Sequence, residues 1–198
     1  MKRRLTILLG GALLAACQST APPPPPAAAM IDPNDPRLAP GFMAQAASGG
    51  QFEIQSSQLA LQMSQNLAVR NFANVMIADH SRLSQALAAA ATAARLTPPA
   101  PVLLPSDQAM LDQLRAAGAG PGFDLAYKNA QITAHQNALQ LMQAYAAGGD
   151  VPPLRAAASQ AIPTVQMHLN QAQMLPVTPV APTQPPPAAP VGRAGERG

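Results

Sequence analysis

Apolar residues recur every three or four positions through the middle of this chain. One such stripe runs Phe42, Ala46, Gly49, Glu53, Ser56, Ala60, Met63, and a second runs Val69, Ala73, Met76, His80, Leu83, Leu87. A third takes in Ile132, His135, Leu139 and Met142, with Tyr127 and Ala134 defining a competing face. The last is Leu154, Ala158, Ala161, Val165, His168, Ala172, Leu175. Steps of four and three mark the inward seam of bundle helices. Together with Ala, Gln, Leu and Met, all good helix formers, they predict long helices over 41–65, 68–95, 122–147 and 152–175.

Proline and glycine punctuate the pattern. Pro98, Pro99, Pro101 and Pro105 break the middle, and Ser106 reads as the N-cap of a short helix over 107–117. Gly118, Gly120, Pro121 and Gly122 end it; Gly148-Gly149-Asp150 and Pro152-Pro153 separate the last two helices. No strand pattern competes. Two helical hairpins joined by a long connection predict an all-α, ferritin-like four-helix bundle whose crossover contains a short helix. The alternative is an up-down bundle with the middle helix packed as a fifth element.

The flanks follow other rules. Lys2, Arg3 and Arg4 precede the short apolar run Leu5 to Leu14, and Leu14-Ala15-Ala16-Cys17 resembles a bacterial lipobox. The run is too short to span a bilayer, which needs about 20 apolar residues. Residues 1–16 therefore read as a cleavable signal peptide, with Cys17 carrying lipid and tying the chain to a membrane. Gln18 resembles the sorting position of lipoproteins sent to the outer membrane, which implies a periplasm-facing or surface-displayed location there. Residues 17–40 hold five successive prolines, Pro22 to Pro26, and read as an extended tether. Residues 176–198 read as a disordered Pro/Ala-rich tail, leaving one folded domain over 41–175.

Charge then narrows the partners. The chain has 12 Lys+Arg and 9 Asp+Glu, and removing Lys2, Arg3 and Arg4 leaves nine of each. No basic patch remains to hold nucleic acid. Cys17 is the single cysteine, so no disulfide can form within the chain.

Several residues together resemble the domain-of-unknown-function 4142 family of predicted outer-membrane or periplasmic proteins. They are Gly49-Gly50 and Glu53, then Phe72-Ala73, Met76 and Asp79-His80, then Phe123-Asp124, Tyr127 and His135, and finally Pro163 and His168. The resemblance spans Phe42 to Leu175 and implies a ferritin-like bundle in the envelope; it implies no reaction. The Ala/Gln-rich helix surfaces depart from the Lys- and Glu-rich surfaces of relatives.

The candidate chemistry lies in the three histidines, His80, His135 and His168, one on each of three long helices. The fourth long helix carries Glu53, the sole glutamate of the folded segment. Counting from the turns at about 1.5 Å per residue puts all four at roughly 18–23 Å, near mid-bundle. Three imidazoles and a carboxylate would suit one transition-metal ion, Zn, Fe, Mn, Ni or Cu. Asp79 would support the ligands from behind. A ferritin di-iron centre requires Glu-x-x-His motifs, and Ile77 and Val165 stand where those glutamates would be. The competing reading is a non-catalytic structural or interaction module for another envelope protein, with the His/Glu group as a buried hydrogen-bond network. No nucleophile triad or nucleotide-binding loop is visible, so the chain reads as a binding protein and not an enzyme. Met63, Met76, Met142, Met167 and Met174 read as core filler, and Tyr127 and Tyr145 as residues at the core edge.

Overall fold

The computed structural model describes residues 35–177. The signal peptide, Cys17, most of the tether and the tail from 178 onward lie outside the described residues. Five helices follow in order: α1 (Ala39–Met63), α2 (Leu67–Ala93), α3 (Pro105–Ala116), α4 (Pro121–Gly148) and α5 (Pro152–Met174). The described residues contain no strand. None of the described helices is long and apolar enough to cross a membrane.

Proline sets most of the helix starts. Pro105, Pro121 and Pro152 each occupy the first helical position, where a missing N–H costs nothing and a fixed φ favours the helix. This corrects the expected cap of α3: Leu104 is the capping residue, and Ser106 lies inside the first turn. Likewise α1 starts at Ala39, so Ala39 and Pro40 belong to the helix and not to the tether. Asn66 caps α2 by accepting from the Ala68 N–H at 2.9 Å. Gly118 and Gly120 adopt φ of +68° and +103°, a region open to glycine, and turn the chain from α3 into α4.

α1 packs on α2 and α4, and α5 packs on α2 and α4, which leaves α1 diagonal to α5. The Gly120 N–H bonds to the Met63 carbonyl, so α4 begins where α1 ends. The segment from Ala94 to Gly120 therefore runs the length of the bundle, as expected for a ferritin-like crossover. Midway, Ser48 of α1 pins it, accepting from the Leu104 N–H at 2.7 Å and donating to Asp107.

The apolar core is divided. One cluster holds Phe52, Phe72, Met76, Phe123, Tyr127 and, from α3, Leu111 and Leu114. The other holds Phe42, Met43, Leu87, Tyr145 and Leu154. Both tyrosines are fully buried, not at the core edge, and Tyr145 stacks on Phe42 with ring centroids 3.8 Å apart. Met76 fills core as expected, whereas Met167 and Met174 are exposed. Pro163 sits inside α5 on its exposed side.

Candidate metal centre

Between the two clusters lies a layer of buried polar side chains from all four long helices. Glu53, Ser56 and Ser57 come from α1, Asp79 and His80 from α2, Gln131 and His135 from α4, and His168 from α5. On α4 the inward seam runs Tyr127, Gln131, His135 and then Tyr145. It does not run through Ile132 and Leu139, which are only half-buried. The seam tolerates Gln131 because its amide donates to Ser56 Oγ at 3.1 Å.

The three histidines converge. Each pair of rings has its centroids 5.4 Å apart. One ligand nitrogen from each lies within 4.8 Å of those of the other two. Each ring also keeps one buried nitrogen with no partner: Nε2 of His80, Nε2 of His135 and Nδ1 of His168. A buried polar atom left unpaired costs about 1–3 kcal/mol, so three such atoms on three neighbouring rings require an explanation.

The opposite nitrogens show how two of the rings are held. His135 Nδ1 lies 2.8 Å from the Gln131 carbonyl, a partner that can only accept. The proton therefore sits on Nδ1, leaving the Nε2 lone pair free. His168 Nε2 lies 2.9 Å from Asp79 Oδ2, which leaves Nδ1 free. The other Asp79 oxygen pairs with Arg82. Asp79 thus backs His168 across the α2–α5 contact, and not its sequence neighbour His80. A carboxylate or carbonyl behind an imidazole is the arrangement that orients metal-binding histidines.

Electrostatics keep the rings neutral. Burial pushes His80 well below its usual range, and His135 and His168 push it further. Burial lowers His135 to about 4, against a partial offset from the Gln131 carbonyl. His168 is lowered by burial, with Asp79 opposing. At neutral pH each ring offers a lone pair.

Glu53 is placed differently from its expected role as a fourth ligand. Its Oε1 lies 3.3 Å from His135 Nδ1, the nitrogen that donates to the Gln131 carbonyl. It lies outside the group of three whose ligand atoms converge. Its Oε2 is buried and unpartnered. Burial raises its carboxyl well above the usual range, the Gln131 amide offsets part of that, and Asp107 adds to it.

Sequence reasoning missed a cavity of about 510 Å³ that begins beside this layer. Glu53 and His80 form its inner end; Phe42, Gly49, Ala138 and Ala161 are among its walls. Gly49 has nothing within 4 Å of where a Cβ would stand, so it borders open space. Gly50 is the close approach, its would-be Cβ 3.3 Å from Ser84 Oγ.

A solved structure described as CopM in the Cu(II)-bound form shares this fold, with a TM-score of 0.56 and 18% sequence identity over 69% of this chain and 94% of that one. No curated protein matches the sequence. The family model described as "Domain of unknown function (DUF4142)" matches residues 20–175, and the chain belongs to that family.

Proposed function

We propose that this protein binds a single transition-metal ion at mid-bundle through His80, His135 and His168, and that it does so as an envelope lipoprotein tethered by lipid on Cys17. The observation that carries the metal reading is the convergence of three buried histidines, with one ring nitrogen of each within 4.8 Å of the others and one nitrogen of each ring left unpartnered. A self-sufficient hydrogen-bond network would pair those nitrogens, whereas here each of the three rings keeps one buried nitrogen unpaired. Zn–N bonds of about 2.0–2.1 Å need only modest inward movement of the rings. Three protein ligands leave a further coordination position for water or another small ligand.

Imidazole suits Zn, Cu, Fe and Ni, and Cu(II) binds most N/O sites tightest of the divalent series. The copper named for the protein of similar fold makes Cu(II) the first ion to test. Asp79 and the Gln131 carbonyl would hold two of the ligands in their binding tautomers. In this geometry Glu53 serves His135 at Nδ1.

The test is metal content of the full chain purified in detergent, after loading with Cu(II) or Zn(II) and desalting. Mass spectrometry of the metal should give about one ion per chain, as a folded three-histidine site would hold. His80→Ala and His168→Ala should each lose it while keeping wild-type helical circular dichroism. Absence of either ion from well-folded wild-type protein would refute the reading, leaving the layer as core architecture.

A further inference from the structure

We propose that the cavity beside the histidine layer is a binding site for a small organic amine, its apolar body lying among the helices and its ammonium group donating to Glu53. This goes beyond the metal reading and needs no metal. The first observation is how the cavity is made. All four long helices wall it, and where they would otherwise fill the core they present Gly49, Ala134, Ala138, Ala158 and Ala161. A protein interior is normally packed without voids larger than a water molecule. A cavity of about 510 Å³ lies in the range of small-molecule pockets. It extends from exposed Ala86 and Gln140 to buried Glu53 and His80, so a solute can reach its inner end.

The second observation is what waits at that end. Glu53 is only 3% exposed, and its Oε2 has no partner. The oxygen is not used by the three histidines, since Glu53 approaches His135 with Oε1. A buried carboxyl oxygen left without a donor is costly, and a donor from outside the fold would remove that cost.

The third observation is charge. No lysine or arginine lines the cavity, whereas Glu53 and Asp107 both do. An ammonium entering it therefore meets carboxyl groups that can accept from it, whereas a carboxylate or phosphate meets no positive side chain. The walls are otherwise mostly apolar, with the Phe42 ring and Met142 among them, which suits a hydrocarbon or aromatic body.

The experiment uses metal-stripped full chain in detergent with chelator present, and three probes sharing one body: 2-phenylethylamine, 2-phenylethanol and phenylacetate. Binding is followed by calorimetry and by amide NMR shifts. The amine should bind tightest and the carboxylate weakest, with shifts concentrated at Gly49, Gly50 and Ala138. Glu53→Gln should weaken the amine about tenfold or more, the scale of a hydrogen bond to a charged group, and leave the alcohol unchanged. Ala138→Phe should abolish binding of all three by filling the space; Gly49→Leu does the same from α1 if that variant fails to fold. Equal affinities for amine and carboxylate, or an amine affinity indifferent to Glu53→Gln, would overturn the proposal. Because the protein is metal-free, failure here leaves the metal reading standing, and failure of metal loading leaves this result standing.

Discussion

The two halves of the bundle on either side of the histidine layer use the same helices but are packed on opposite plans. In the half nearer the α1–α2 turn, three of the chain's four phenylalanines, Phe52, Phe72 and Phe123, gather with Tyr127. Phe72 meets Tyr127 edge-on at 6.2 Å and Phe123 stacks on it at 6.0 Å. The Tyr127 hydroxyl is paired with Ser57 at 2.7 Å, and α3 lays Leu111 and Leu114 over the cluster. In the other half, Phe42 and Tyr145 stack near the end, while alanines and glycines leave the cavity between them and the histidines. Large buried side chains are concentrated in the first half, and space next to the candidate chemistry in the second. Side chains that hold a ligand gain from rigid support on one side and access on the other.

The largest expected difference comes from truncation. Phe123→Ala, in the closed half, should lose about 3–5 kcal/mol of unfolding free energy, read from urea midpoints. Leu83→Ala on the cavity wall should lose far less, because Leu83 is half-buried and borders space already open. Similar losses at both positions would break the contrast.

Enlargement sharpens the same comparison in the opposite direction. Ala73 is fully buried in the closed half, so Ala73→Leu should overpack it and cost about 1–3 kcal/mol. Ala138→Leu adds the same atoms beside the cavity and should stabilise by about 0.5–2 kcal/mol, as cavity-filling changes do. If Ala138→Leu destabilised as Ala73→Leu does, the cavity would be closed in solution.

That contrast was invisible in the sequence, although the bundle was not. Pro105, Pro121 and Pro152 begin helices because their chemistry is local, and a 3.6-residue period places His80 and His168 inward without knowledge of any partner. Similar counts from the turns likewise put the histidines at nearly one depth. What the pattern could not supply was anything settled between helices. The alanines of α4 and α5 register in a sequence as helix formers, and only their facing Gly49 turns them into walls of a cavity. Gln131 looks like a surface residue until Ser56, on another helix, receives its amide. Asp79 is one step from His80 along the chain, yet the α2–α5 contact gives it to His168. Glu53 was legible as an inward carboxylate, but which side of His135 it would take depends on the rotation of α1 against α4.

The comparison that probes the boundary between the halves is the pH dependence of the metal-free protein. Burial holds His135 near 4 in the folded state, against 6.5 for the free side chain, and lowers His80 and His168 as well. Unfolded histidines take up protons below that free value, whereas folded ones do not. Their contribution to stability is therefore complete above pH 6.5 and is lost as pH falls through about 4. Glu53 has the opposite sign: its folded carboxyl titrates well above 4.5, so its contribution is complete below 4.5 and is lost as pH rises through the raised value. Three histidines outweigh one glutamate, and urea midpoints in chelator should rise from pH 4.5 to 6.5. Glu53→Gln removes the opposing contribution and should steepen that rise. A midpoint that fell across this window in Glu53→Gln as well would mean that the folded layer carries protonated imidazolium, and charged rings at 5.4 Å could not then be a site waiting for a cation.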